Sequence, residues 1–236
     1  MKISILGGTG NMGRGLAVRL ALKHEIVVGS RTLEKAQGIA KNLKNLARGF
    51  YLSEMEGSIK GALNADSMLG SDIVIVTLPP EVSIPVVEGL SENLTNDQVV
   101  VSTVVPMTRK KSLFYWTPIE EGDAFSGRSA AEAIQEAVDP ANVVSAFQTV
   151  PATYLSNIDA VLNVDVLIAG DDELALTKVS SLIRDIPNLR PLRVGPLENS
   201  KWIESLTPLL LNAAILNGLH DPTIRVIPWM PSDTQG

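Results

Sequence analysis

The sequence predicts an α/β fold of the Rossmann type: a doubly wound parallel sheet with a smaller C-terminal α/β domain. Three observations predict it. Lys2–Leu6, the glycine turn Gly7–Gly13, Met12–Leu22 and Glu25–Gly29 spell strand, turn, helix and strand within the first thirty residues, a βαβ unit. Apolar strand-length runs at Asp72–Leu78, Gln98–Val105 and Ala141–Phe147 then alternate with helical stretches, as parallel strands covered on both faces do. A chain of 236 residues, 45% of them hydrophobic, is long enough to bury one such domain and part of a second. The expected division is 1–150 for a nucleotide-binding domain and 151–236 for the smaller one.

Each element has a local reason. Met12, Leu16, Val18, Leu20 and Leu22, with alanines between, suit a helix packed on a sheet. Thr32–Arg48 reads as a charged helix with Thr32 as its N-cap. Ser58–Ser67 holds a short strand or helix whose ends the pattern does not fix. Asp72–Leu78 is a buried strand stopped by Pro79-Pro80, and Val82–Leu90 is helical. Pro106–Gly127, with Phe114, Tyr115, Trp116 and Phe125, reads as a long irregular stretch. Ser129–Val138 is a helix. Ala160–Ala169 holds one or two strands, Asp172–Ile186 a helix, Leu189–Val194 a strand, and Asn199–Leu219 a long apolar helix interrupted by Pro208. Asp221–Gly236 reads as an extended tail.

Composition removes several classes. Without cysteine there is no thiol nucleophile, disulfide or Cys-based metal site, and His24 and His220 are too few and too far apart in sequence for a histidine metal site. A net charge of −6 disfavours a general nucleic-acid binder. No basic region precedes an apolar run at the N-terminus, and no apolar run has membrane-spanning length, so a cytoplasmic protein without a membrane partner is expected.

The chemistry sits in Gly8-x-Gly10-x-x-Gly13. As a bare string this fingerprint is weak; between a strand and a helix it marks a dinucleotide site. Gly8 is read as the tight turn, Gly10 as the point of close approach to a pyrophosphate, and Gly13 as the helix–strand contact. The helix N-terminus adds free N–H groups and a positive dipole end. At the end of the second strand, NAD readers place Asp or Glu for the ribose hydroxyls; here Gly29-Ser30-Arg31 and Lys35 are suited to a 2′-phosphate, so NADP is expected.

Other polar groups have ordinary explanations. Asp171-Asp172 reads as a turn and helix N-cap, Glu120-Glu121 as a solvated loop, and His24 as a surface turn residue. The aromatics at 114–116 suit either a ring cofactor or a loop packed on its own domain. No Ser/His/Asp triad and no general acid or base stands out. That absence fits direct hydride transfer between two ring cofactors, which needs no proton-moving side chain.

Ile5–Arg31 (LGGTGNMGRGLAVRLA and HEIVVGSR within it) resembles the archaeal NADP oxidoreductases that use the deazaflavin coenzyme F420. So do Arg128–Glu132, Thr149-Val150-Pro151-Ala152, Gly170-Asp171-Asp172, Leu189–Leu192, Gly195–Leu197 and Glu204–Leu209. The resemblance implies reversible hydride exchange between C5 of the deazaflavin and C4 of the nicotinamide, with no catalytic side chain and no metal. It implies Thr9, Gly10, Asn11 and Met12 at the pyrophosphate, with Gly8 and Gly13 as the cofactor-binding glycines of the turn, and Ser30, Arg31 and Lys35 at the 2′-phosphate. Leu78, Val105 and Ala152 would line the nicotinamide pocket. Pro79, Val82, Gln148, Ser205, Thr207 and Pro208 would lie around the deazaflavin, between the two domains. The chain departs from the relatives at Pro80 and Val82, where they carry Trp and His, and at Gln148, where some carry His. A homodimer is expected; the apolar Leu206–Leu219 helix reads either as its surface or as a buried core helix. Two other readings stay open: an NADPH-dependent reductase of another substrate, such as an imine or a ferric chelate, and a non-catalytic NADP-binding protein.

Overall fold

The computed structural model describes residues 1–119 and 127–228. The Glu120-Glu121 pair, Phe125 and the end of the tail lie outside the described residues.

Ten strands and eight α-helices are present among them. In chain order they are β1 (Lys2–Leu6), α1 (Asn11–Leu20), β2 (Glu25–Ser30), α2 (Leu33–Tyr51), β3 (Ser58–Leu63), α3 (Asn64–Met68), β4 (Ile73–Val76), α4 (Pro80–Glu88) and β5 (Val99–Ser102). They continue with β6 (Met107–Lys110), β7 (Leu113–Trp116), α5 (Ala130–Ala137), β8 (Asn142–Ser145), α6 (Ala152–Ser156), β9 (Val164–Gly170), α7 (Glu173–Arg184), β10 (Leu189–Arg193) and α8 (Ser200–Asn217).

Eight strands form one sheet in the order β10-β9-β8-β5-β4-β1-β2-β3. The order reverses between β1 and β4, and at such a switch point helices leave the sheet on opposite sides and open a crevice. Both faces of the central strands are buried. In β4, Ile73 and Ile75 pack with Leu16, Leu20 and Leu43 on one face, while Val74 and Val76 pack with Val87 and Ile134 on the other. This period-2 division between two helix layers explains why the strands read as continuous apolar runs.

The sheet is mixed. Its pairings are parallel except β8–β9, where Val144 pairs with Gly170 in antiparallel register. A parallel return needs a crossover that spans the sheet. The connection after β8 instead carries only the five-residue α6, held against α1 by Arg19. The Arg19 guanidinium, 6% exposed, donates to the carbonyls of Tyr154, Leu155, Asn157 and Ala160 at 2.7–3.1 Å. The chain therefore enters β9 from the upper edge and runs down. Strands β9 and β10 extend the same sheet.

Two readings are corrected. Part of Pro106–Gly127 is regular: β6 and β7 form an antiparallel hairpin, Met107 opposite Trp116. Its tight turn puts Lys111 at φ 57°, without the Asn-Gly or Asp-Gly signal that usually marks such a hairpin. His24 is buried at 6% exposure rather than a surface residue, because its ring packs between Asp185, 3.0 Å from Nε2, and the N-terminal amine. Burial, followed by the nearby N-terminal charge, lowers its pKa.

Candidate functional site

A cavity of about 1030 Å³ opens along the C-terminal ends of the parallel strands, at the switch point. Its wall takes Gly7 from the end of β1, Gly29 and Ser30 from β2, Thr77–Pro79 after β4, Thr103–Val105 after β5, and Gln148–Thr153 after β8. Helix α8 closes the far side with Thr207, Leu210, Leu211 and Ala214, and the segment after it adds Leu219–Pro222.

The polar end is built by the glycine turn. Gly7, not Gly8, is its left-handed residue, at φ 76°. A Cβ on Gly7 would stand 2.9 Å from the Leu78 side chain. Gly8 is needed for a different reason, since a Cβ there would meet Val28 at 2.9 Å and the Ile5 carbonyl at 3.1 Å. At Gly13 it would lie 2.5 Å from the Gly8 Cα, so the helix–strand contact admits only hydrogen. At Gly10 nothing lies closer than 3.6 Å, which leaves the backbone open to a ligand. Helix α1 then starts with no side-chain cap and no acid in its first turn, so its orphan N–H groups keep their positive potential beside the cavity. Arg14 Nε donates to the Thr9 carbonyl at 2.9 Å and fixes the turn. Across from it, Ser30, Arg31 and Lys35 line the same wall.

The middle is neutral. Leu78, Pro79, Val105 and Ala152 supply apolar surface, joined by Val82 on α4. Phe147, fully buried at φ 73°, turns the chain sharply after β8. Gln148 follows at 5% exposure; its Nε2 donates to the Ser102 carbonyl at 2.8 Å and contacts Ser145 Oγ at 2.9 Å. Its Oε1 is buried with no partner among the described residues. The side chain is thus locked with an acceptor to spare, and a buried polar atom left so is an acceptor for a donor on a ligand.

The far wall is fastened to this middle. Thr207 Oγ1 donates to the Gln148 carbonyl, and Thr223 Oγ1 to the Thr149 carbonyl at 2.9 Å. Beyond Thr223 the chain is held by Asp165, which has no exposed side-chain surface. Asp165 accepts from Arg190 at 2.8 and 2.7 Å, from Arg225 at 3.2 Å and from the Val226 N–H at 2.6 Å. The Arg190 guanidinium, aided by the Val226 N–H and Arg225, holds its carboxyl below the usual range.

Of the residues expected at the site, Thr9, Gly10, Asn11, Met12, Ser30, Arg31, Lys35, Leu78, Pro79, Val82, Val105, Gln148, Ala152 and Thr207 share this wall. Gly8 and Gly13 lie beneath it, as packing. Ser205 and Pro208 are off it: the Ser205 hydroxyl donates back to the Lys201 carbonyl, and Pro208 is buried within α8. Pattern reading missed Asn64, Met107 and Leu219–Pro222. Asn64 has no local signal: only the pairing of Leu63 with Ser30 in the β2–β3 register sets it beside the basic corner. The aromatics of the hairpin are not on the wall. Trp116 Nε1 donates to Glu204 at 3.2 Å, and the Phe114 backbone is bracketed by the Asn212 amide. Asp172 caps α7 through the Ala175 N–H at 2.7 Å, and Asp171 accepts from the Leu197 N–H, as expected of turn and cap residues. Among the described residues no group of acidic and histidine side chains is arranged for a metal, and no helix is long and apolar enough to cross a membrane.

Comparisons with known proteins agree with this architecture. Residues 2–106 match the family described as "NADP oxidoreductase coenzyme F420-dependent". The F420-dependent NADP reductase of Methanocaldococcus jannaschii is 37% identical over 230 residues, covering 96% of this chain and 98% of that protein. That of Methanothermobacter marburgensis is 33% identical over 228 residues, with the same coverage. A crystal structure from Arthrobacter sp. FB24, provisionally named an F420-dependent NADP reductase, superposes with a TM-score of 0.75 at 23% identity, covering 97% of this chain and all of the other. An imine reductase from Bacillus cereus shares the fold at a TM-score of 0.57 and 16% identity, covering 92% of this chain and 63% of its own. At more than a third identical over nearly its whole length to one such reductase, this chain belongs to the F420-dependent NADP reductase family.

Proposed function

We propose that the chain catalyses reversible hydride transfer between reduced coenzyme F420 and NADP⁺, with NADP(H) and F420 as its two co-substrates. The observation that carries this is one continuous cavity with two unlike ends. Its volume is at the top of the ordinary range for a single small-molecule site, so a nucleotide leaves room beside it. The basic end, with the α1 N-terminus, Ser30, Arg31 and Lys35, suits a phosphorylated nucleotide. The apolar end, with Val82, Met107, Leu210, Leu211 and Ala214, suits a flat ring.

When both are bound, the chemistry supplied is exchange of a hydride between the deazaflavin and the nicotinamide. The chain's own part is to bind, orient and exclude water. Thr9–Met12 hold the pyrophosphate with backbone N–H groups. Leu78, Val105 and Ala152 form a dry floor, and Gln148 Oε1 accepts from a ring donor. Ser205 and Pro208 act from behind, by shaping α8 around Thr207. Among the described residues the central wall, Leu78, Val105 and Ala152, carries no acid or base, so the ring proton that the reduced deazaflavin sheds along with its hydride is left to solvent, while His220 and Asp221 line the wall after α8. Residues 1–150 supply the nucleotide side and 151–236 complete the deazaflavin side.

The exposed apolar residues Leu209, Ile215 and Leu216 in the C-terminal half of α8 support a homodimer formed through that helix. We place the protein in the cytoplasm. The test of function is direct: mix the protein with NADPH and oxidised F420 and follow loss of the deazaflavin's visible absorbance. Loss of the band is expected; no change with NADPH binding intact would overturn the reading.

A further inference from the structure

We propose that Asn64 reads the adenosine ribose of NADP, its Oδ1 accepting a hydrogen bond from the 3′-hydroxyl. This rests on the NADP half of the function proposed above. Asn64 opens α3, immediately after the edge strand β3, and lines the cavity beside Gly29, Ser30, Arg31 and Lys35. Its Oδ1 is buried and has no hydrogen-bond partner among the described residues. A buried amide oxygen left in that state lacks its usual compensation, unless a ligand supplies a donor.

The surroundings say which donor. The end of β2 is where a Rossmann sheet meets the adenosine ribose, and an acid there would normally accept from its hydroxyls. This chain has no acid there. Arg31 and Lys35 carry only donors, which match a 2′-phosphate and offer the 3′-hydroxyl no acceptor; besides Asn64 Oδ1 this corner has the Ser30 hydroxyl, which as a donor can also serve the phosphate. The unpartnered Oδ1 of Asn64 fills that role while adding no negative charge to a corner built for an anion. Gly29 makes room for it, since a Cβ on Gly29 would stand 2.8 Å from this oxygen.

The residue is also held in place. Ser67 Oγ donates to the Asn64 carbonyl at 2.7 Å, and Ser4 Oγ lies 2.7 Å from Ser67 Oγ. Both serines are fully buried, so a short hydrogen-bonded chain ties Asn64 to β1 at the sheet's centre.

The test is a binding cycle that needs no turnover. Adenosine 2′,5′-bisphosphate, its 3′-deoxy analogue and adenosine 5′-monophosphate are titrated calorimetrically into the wild type and Asn64→Ala. The wild type is expected to bind the 3′-deoxy compound about 5- to 10-fold more weakly than the parent, the span of one neutral hydrogen bond. Asn64→Ala is expected to lose that discrimination and to bind both bisphosphates alike. Asn64→Asp, which keeps an acceptor but adds a charge, should keep the preference for the 3′-hydroxyl while binding both bisphosphates more weakly. If Asn64→Ala still discriminates as the wild type does, the proposal is wrong. If the wild type binds the monophosphate as tightly as the bisphosphate, the NADP reading falls and takes the proposal with it. A silent F420 assay would leave both outcomes readable.

Discussion

Thr207 Oγ1 donates a 2.8 Å hydrogen bond to the carbonyl of Gln148, fifty-nine residues earlier in the chain. The bond joins the helix that closes the cavity to the strained turn that floors it. Thr207→Val keeps the shape of the side chain and removes the donor, leaving a carbonyl in a largely buried turn without it. We expect a stability loss of about 1–2 kcal/mol by chemical denaturation. We also expect KM for F420 to rise several-fold while the NADPH dissociation constant stays within about twofold. Equal weakening of both co-substrates would show that α8 does not serve one side selectively.

Arg31 is the sharpest test of nucleotide choice. A charge-assisted bond to a phosphate is worth about 1.5–3 kcal/mol, so Arg31→Ala should weaken NADP binding by roughly 10- to 100-fold. NAD, which lacks the 2′-phosphate, should change little. Titration of both nucleotides into the variant decides it, and equal losses would remove Arg31 from the phosphate site.

Glu204 gives a pH signature. It is fully buried in α8 and accepts from Trp116 Nε1 and from the Ala130 and Ala131 N–H groups at 3.1–3.2 Å. Burial outweighs these donors and raises its pKa to about 7. Between the unfolded value near 4.5 and about 7, the native state binds the extra proton, so stability falls as pH rises through that window. The full excursion is worth about 3 kcal/mol at 1.36 kcal/mol per pH unit. Glu204→Gln should remove this contribution: the wild-type minus variant stability, from urea unfolding at pH 4.5 to 8, should decline with pH. A flat difference would mean that Glu204 takes up its proton in the native state as it does in the unfolded chain.

Asp165 gives the opposite sign. Its carboxyl is held below its ordinary value, so the stability it contributes is present above an unfolded pKa near 3.8 and is lost as pH falls through the lower native value. Asp165→Ala leaves the half-exposed Arg190 and Arg225 without their anion and the Val226 N–H without its acceptor, and should cost about 1.5–3 kcal/mol. Arg225→Ala is gentler, releasing only the segment after α8. With the Thr223 and Val226 hydrogen bonds still in place, it should speed limited proteolysis of that segment only several-fold while NADPH binding is kept; cleavage at the wild-type rate would show that the Arg225–Asp165 pair adds nothing to its hold.

Much of this was legible in the chain. The first βαβ unit needs only a buried strand, a glycine turn and an amphipathic helix, all local, and β1 forms over the residues expected of it. The basic residues after β2 were readable because their place on the strand end gives them meaning. The rest depends on contacts far apart in sequence. Asn64 is an ordinary residue until the pairing of Leu63 with Ser30 brings it beside Arg31 and Lys35. The hairpin was hidden because its turn uses Lys111 in a glycine-like conformation. The tail carried no periodicity at all. Its course is set by a carboxylate some sixty residues earlier and the two arginines around it, a relationship without a local signature.

The cavity's two ends are also separated in time. The glycine turn, the basic corner and Asn64 are all made before Val105, whereas Thr207 and the segment behind it come about a hundred residues later. At ribosomal rates of about 5–20 residues per second, that interval is roughly 5–20 seconds. The basic end of the cavity is thus spelled out while Gln148, Ala152 and the α8 wall are still untranslated. Loss of the last twenty residues to a premature stop would spare the first half-site and remove part of the second.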